Sequence, residues 1–110
     1  MFRSAGDEAG EGGAACGLGE VYQAMGEHGR ALELHQTDLE IGHRLGDKPA
    51  QIRACANIGA TFESLKEFGS AKSYNDQLLN LSTLVNDRAA KIKAYSNLGK
   101  ELIRESVNVV

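Results

Sequence analysis

The sequence predicts an all-α fold of tandem antiparallel helix pairs, five helices in all. Three observations point there. The chain repeats itself at a period of 40 residues without gaps. Apolar and small residues recur at steps of three and four, the spacing of one helix face. Among 110 residues there is one proline, and aromatic residues make up 5%. With 42% hydrophobic and 25% charged residues the chain reads as a folded globular domain rather than a disordered one.

The repeat is carried by many positions. Asp7, Asp47 and Asp87 follow Gly6, Gly46 and Asn86. Ala14, Ala54 and Ala94 align, as do Leu18, Ile58 and Leu98, then Gly19, Gly59 and Gly99. Tyr22 matches Phe62, Ala31 matches Ala71, Leu34 matches Tyr74, and Leu45 matches Val85. One domain over residues 1–110 is expected, with repeats at 7–46 and 47–86 and a partial repeat at 87–110.

The elements follow in order. The first helix starts near Asp7 and carries Ala14, Leu18, Gly19 and Tyr22. Gly10, Gly12, Gly13 and Gly17 weaken it, since each glycine costs about 1 kcal/mol against alanine inside a helix. Its first two turns are expected to fray. A break at Gly26-Glu27-His28-Gly29 precedes the second helix, and Gly46 ends it. Asp47 is the expected N-cap of the third helix, with Pro49 in the first turn, where its missing N–H is harmless. Ile52, Cys55, Ile58, Gly59, Phe62 and Leu65 then form its apolar stripe. A break at Lys66-Glu67-Phe68-Gly69 leads to the fourth helix, bearing Ala71, Tyr74, Leu78, Leu81 and Val85 and ending at Asn86. The fifth helix repeats well to Lys100, but Glu101–Val110 contains neither a break nor a second helix. Gly19, Gly59 and Gly99 lie mid-helix on the side turned to the partner helix, where a missing side chain lets backbones approach. Ala31 and Ala71 are the small residues expected opposite them.

Several functions are disfavoured. The net charge of −3 offers no basic stripe for nucleic acid. No apolar run approaches the roughly 20 residues that span a bilayer, and Met1–Gly13 is too rich in glycine and acid for a secretory signal. Cys16 and Cys55 sit at different repeat positions and form no CxxC pair, so a reduced, cytoplasmic setting is expected, with a disulfide as the alternative. His28, His35 and His43 share one helix, but His35 and His43 are two turns apart, too far to share a metal without other ligands. His35, beside the apolar stripe, reads as a packed core residue, and His28 matches Phe68. Cys16 with a histidine lacks a third orienting group. The glycine run before Gly17 lacks the Gly-Lys-Ser/Thr ending of a phosphate loop. Neither an enzyme nor a cofactor is expected.

Leu18-Gly19-x-x-Tyr22 followed by Ala31, and Ile58-Gly59-x-x-Phe62 followed by Ala71, resemble the signature of the tetratricopeptide repeat family. The 40-residue period is similar to a longer subgroup that includes the Pins-type, Leu-Gly-Asn-rich modulators of G-protein signalling. Ala94-Tyr-Ser-Asn-Leu-Gly99 resembles an element of that group, as does Ala54-Cys-Ala-Asn-Ile-Gly59. Kinesin light chains share parts of it. Gly13 and Gly17 depart from the pattern in the first repeat, and nothing resembles the subgroup's G-protein-binding motifs. The resemblance implies a right-handed α-solenoid whose first helices line a concave groove for a peptide.

Ala54, Ile58 and Phe62 face the second helix, which leaves Arg53, Asn57, Ala60 and Ser64 on another side. Their counterparts are Lys93, Asn97, Lys100 and Arg104, and, in the first repeat, Glu20 with Gln23 beside it. An amide can donate and accept, so Asn57 and Asn97 suit a peptide backbone. The cations Arg53, Lys93, Lys100 and Arg104 suit Asp or Glu side chains. The resemblance implies that matching positions touch ligand; the alternative is an ordinary solvated helix surface. The expected function is a scaffold or adaptor binding an acidic partner peptide. The competing reading is a self-associating segment of a longer array, forming homo-oligomers through its ends. Leu102, Ile103, Val107, Val109 and Val110 supply the apolar C-terminus for that.

Overall fold

The computed structural model describes the backbone of residues 4–108 and the side chains through Lys100. The described residues form five α-helices: α1 (Ala5–Ala24), α2 (His28–Leu45), α3 (Lys48–Ser64), α4 (Phe68–Leu84) and α5 (Arg88–Asn108). Arg104 and the apolar residues Leu102, Ile103 and Val107 lie outside the described side chains, and Val109 and Val110 outside the described residues altogether.

Local chemistry explains the boundaries. The Asp47 carboxylate accepts from Ala50 N–H at 3.1 Å, and Asp87 accepts from Ala90 N–H at 3.0 Å, so both cap helices in the same way. The first helix differs. It starts a turn earlier than Asp7 suggests, because Ser4 is the N-cap and Asp7 reaches back to it in a capping box. Gly46 (φ 63°) and Asn86 (φ 54°) take the left-handed conformation after α2 and α4. The turn within each repeat needs the same conformation, supplied by Gly26 (φ 80°) and, against expectation, by Lys66 (φ 60°).

Each helix packs on its chain neighbours: α1 on α2, α2 on α3, α3 on α4, α4 on α5. The first helices touch directly at α1 and α3. The core centres on α3, whose Ile52, Ala54, Cys55 and Ile58 meet Leu39 of α2, Leu78 of α4 and Ala94 of α5. Phe62 stacks on Tyr74 with ring centroids 5.8 Å apart. Position in the stack decides burial. Ile58 is 0% exposed, whereas its repeat counterpart Leu18 is 47% exposed, because no helix precedes α1 among the described residues. Burying an aliphatic side chain of that size contributes about 2 kcal/mol, so the repeats are unequal in energy despite equal sequence roles.

The side chains opposite the mid-helix glycines are not alanines. A Cβ on Gly19 would stand 2.7 Å from His35 Cε1, and one on Gly59 would stand 3.4 Å from Asn75 Oδ1. His35 and Asn75 are forty residues apart and four after Ala31 and Ala71, which are also buried. At Gly99 a Cβ would meet nothing within 4 Å. Among the described residues the approach is therefore tight at Gly19, an ordinary contact at Gly59 and open at Gly99.

Candidate functional site

The residues expected to face a peptide lie on the first helices, and those described fall into three groups. Arg53, at the start of α3, has already found a carboxylate. Its Nη2 donates to Asp38 Oδ1 at 2.7 Å and its Nε to Asp38 Oδ2 at 3.0 Å. The Asp38 side chain is 1% exposed, while Arg53 remains partly open to solvent. This fork-on-fork geometry is the strong form of an ion pair. It raises the Arg53 pKa, chiefly through the hydrogen bonds that Arg53 donates to Asp38. Arg53 thus binds α3 to α2, and its fork is occupied by a residue of its own chain.

The amides form the second group. Asn57 Nδ2 donates to Cys16 Sγ at 3.4 Å, linking α3 to α1. Asn97 Nδ2 donates to Asn75 Oδ1 at 3.1 Å, linking α5 to α4. Both asparagines are half-buried. Gln23 accepts from the Thr61 hydroxyl at 3.0 Å, a further bridge between α1 and α3; that hydroxyl also lies 2.8 Å from the Asn57 carbonyl. These side chains sit at helix seams with part of their surface in water. These contacts hold their rotamers in place.

Glu20, Lys93 and Lys100 form the third group, and all are exposed. Lys93 occupies the repeat position of Arg53, but Leu78 stands where Asp38 would pair with it. Lys93 and Lys100 are seven residues apart, two helical turns, and so share a face of α5. Glu20 also accepts weakly from the Cys16 thiol at 3.8 Å. The side chain of Arg104 is outside the described set. The structure brings together Arg53, Asn57 and Gln23 at the α1–α2–α3 junction, and it places Asn97, Lys93 and Lys100 further along the stack on α5.

Neither thiol is activated. Burial pushes the Cys55 pKa up to about 11. Burial, then the Glu20 charge, raises that of Cys16. Both stay protonated near neutral pH, where the nucleophile would have to be the thiolate. His35 is fully buried, and burial lowers its pKa, holding the ring neutral against the pull of Asp38. Sequence reasoning placed His35 in the core but missed its pairing with Gly19. The signal was available: His35 and Asn75 stand sixteen residues after Gly19 and Gly59. No helix among the described residues is long and apolar enough to cross a membrane.

The family model for the tetratricopeptide repeat matches residues 12–84, more than half of the chain. No curated protein matches the sequence significantly.

Proposed function

The chain belongs to the tetratricopeptide repeat family, whose repeats mediate protein–protein interaction and are not catalytic, and from that premise we propose that its wall of first helices receives an extended peptide carrying acidic residues. The observation that carries this reading is the pair of exposed lysines, Lys93 and Lys100, on one face of α5 beside the half-buried Asn97. Asn57 repeats that amide forty residues earlier, so two amides held by neighbouring helices are spaced along the wall. Arg53 serves this site indirectly, by fixing α3 against α2. The 40-residue period and Asn97-Leu98-Gly99 support placing the chain in the longer-period subgroup. Two unpaired thiols, Cys16 and Cys55, support a reducing cytoplasmic setting.

The test is fluorescence anisotropy with a labelled, extended twelve-residue peptide alternating Glu and Ser. Lys93→Glu with Lys100→Glu is expected to weaken binding at least tenfold, about 1.4 kcal/mol, with helical circular dichroism unchanged. The wild-type affinity is expected to fall with added salt. Equal affinity of the wild type and the folded double variant would count against an acidic ligand on this wall.

A further inference from the structure

The seam between α1 and α2 is built from small residues around a buried imidazole. The buried residues of α1 are Gly12, Ala15, Cys16 and Gly19, which bring little apolar area to the contact. Gly19 lies against the His35 ring: an added Cβ would stand 2.7 Å from Cε1, 2.9 Å from Nε2 and 3.0 Å from Nδ1. His35 is 0% exposed, and neither ring nitrogen has a hydrogen-bond partner among the described residues. A neutral imidazole carries one N–H and one lone pair, so both are buried here at a cost. The second pair fills the same position differently. Asn75 occupies it, and its Oδ1 accepts from Nδ2 of Asn97 on the next first helix. Asn57, forty residues before Asn97, donates to Cys16 instead.

A proton arriving on this ring finds no acceptor ready for it. On α2 the Asp38 carboxylate, about one turn further on, already receives Arg53 of α3 at both oxygens. On α1 the Glu20 carboxylate is exposed to water, and the Cys16 thiol keeps its proton. Burial lowers the His35 pKa from its ordinary 6.5, although the charges of Asp38 and then Glu20 pull it upward.

We propose that His35 is a proton-sensitive latch on this seam, whose protonation in mildly acidic solution releases α1 while α2, α3 and α4 stay assembled. Release lifts Gly19 off the ring and lets water reach both nitrogens, so the undocked state takes the proton more readily. The His35 pKa is therefore lower docked than free. Docking keeps its full strength above the free value of 6.5 and weakens as pH falls through and below it. With the proton taken up only on release, the opening constant rises about eightfold between pH 7.0 and pH 5.5. The latch does not depend on a peptide binding the wall.

The test is amide exchange of the ¹⁵N-labelled chain from pH 7.0 to pH 5.5, expressed as protection factors so that the intrinsic pH dependence cancels. Amides of residues 15–19 are expected to lose about eightfold in protection, and those around Ile58 in α3 to stay unchanged. His35→Asn copies Asn75 and offers Asn57 an acceptor. It is expected to keep α1 docked and to make its protection independent of pH. In the wild type the His35 ring, followed by its ¹³Cε1 shift, is expected to titrate below 6.5. Protection of α1 that does not change with pH overturns the proposal. So does an equal fall in His35→Asn, an equal fall in all five helices, or a ring that titrates at or above 6.5. If His35→Asn does not fold, the wild-type exchange profile and the ring titration decide the matter.

Discussion

Asp38 is a carboxylate held almost wholly inside a helix stack, which water would otherwise solvate at no cost. Two short hydrogen bonds from Arg53 offset that burial. Removing one partner of such a pair is expensive because the other charge stays behind, buried and unpaired. Arg53 is partly exposed, so water can reach the vacated position and soften the loss. Arg53→Ala is therefore expected to cost about 2 kcal/mol, read as a lower urea midpoint with an unchanged slope. The chain suggests the remedy forty residues further on, where Leu78 and Lys93 stand at the same two positions. Asp38→Leu combined with Arg53→Lys is expected to recover most of the loss. A double variant no more stable than Arg53→Ala would show that the pair is not what costs the stability. The polar side of α3 was legible from the helical period around Ile58, but the internal partner of Arg53 was not. Periodicity assigns a residue to a face of its own helix, and the neighbour across a seam depends on how helices cross. The available hint was a carboxylate at Asp38 where the period puts Leu78. Asn57 and Asn97 show the same limit. Their recurrence was plain, yet one amide reaches Cys16 and the other Asn75, because the residue forty after Cys16 is Ala56, which offers no acceptor, and the residue forty before Asn75 is His35.

Among the elements, α1 departs furthest from what its sequence favours. Gly10, Gly13 and Gly17 lie in the helix with nothing within 4 Å of where a Cβ would stand. They carry the entropic cost of glycine with no packing return. Replacing all three with alanine is expected to stabilise the chain by about 2–3 kcal/mol, visible as a higher melting temperature. Gly19 is opposite in kind. A Cβ there would lie 2.7 Å from the ring of His35, which is fully buried and cannot swing aside. Gly19→Ala is expected to destabilise by about 1–3 kcal/mol although it improves helix propensity. Equal responses at Gly17 and Gly19 would refute the distinction. The five helices and their breaks were readable because period and caps agree at Asp47 and Asp87. The start of α1 was misplaced since the repeat equates Asp7 with those caps, while the local pattern Ser4-x-x-Asp7 overrides it. Lys66 was missed for a related reason: the turn geometry, not the residue's preference, sets its left-handed backbone, where the first repeat has Gly26.

At the scale of the molecule, stability is graded along the stack. Each helix rests on its chain neighbours, so α3 and the pairs around it gain from both sides, and α1 and α5 gain from one. The core reflects this: among the described residues four of its buried members lie on α3 and one, Ala94, on α5. Leu18 exposes nearly half its surface in the position where Ile58 exposes none. Local opening should therefore start at both ends and reach α3 last. Native-state hydrogen exchange is expected to show the slowest amides in α3 around Ile58. Protection should fall through α2 and α4 and be lowest in the first turns of α1 and in α5. The gradient has a functional consequence: the exposed Lys93 and Lys100 and the half-buried Asn97 lie on α5, whose main contact among the described residues is with α4. Uniform protection along all five helices in the unliganded chain would show one cooperative block instead, and the link between position in the stack and stability would fail.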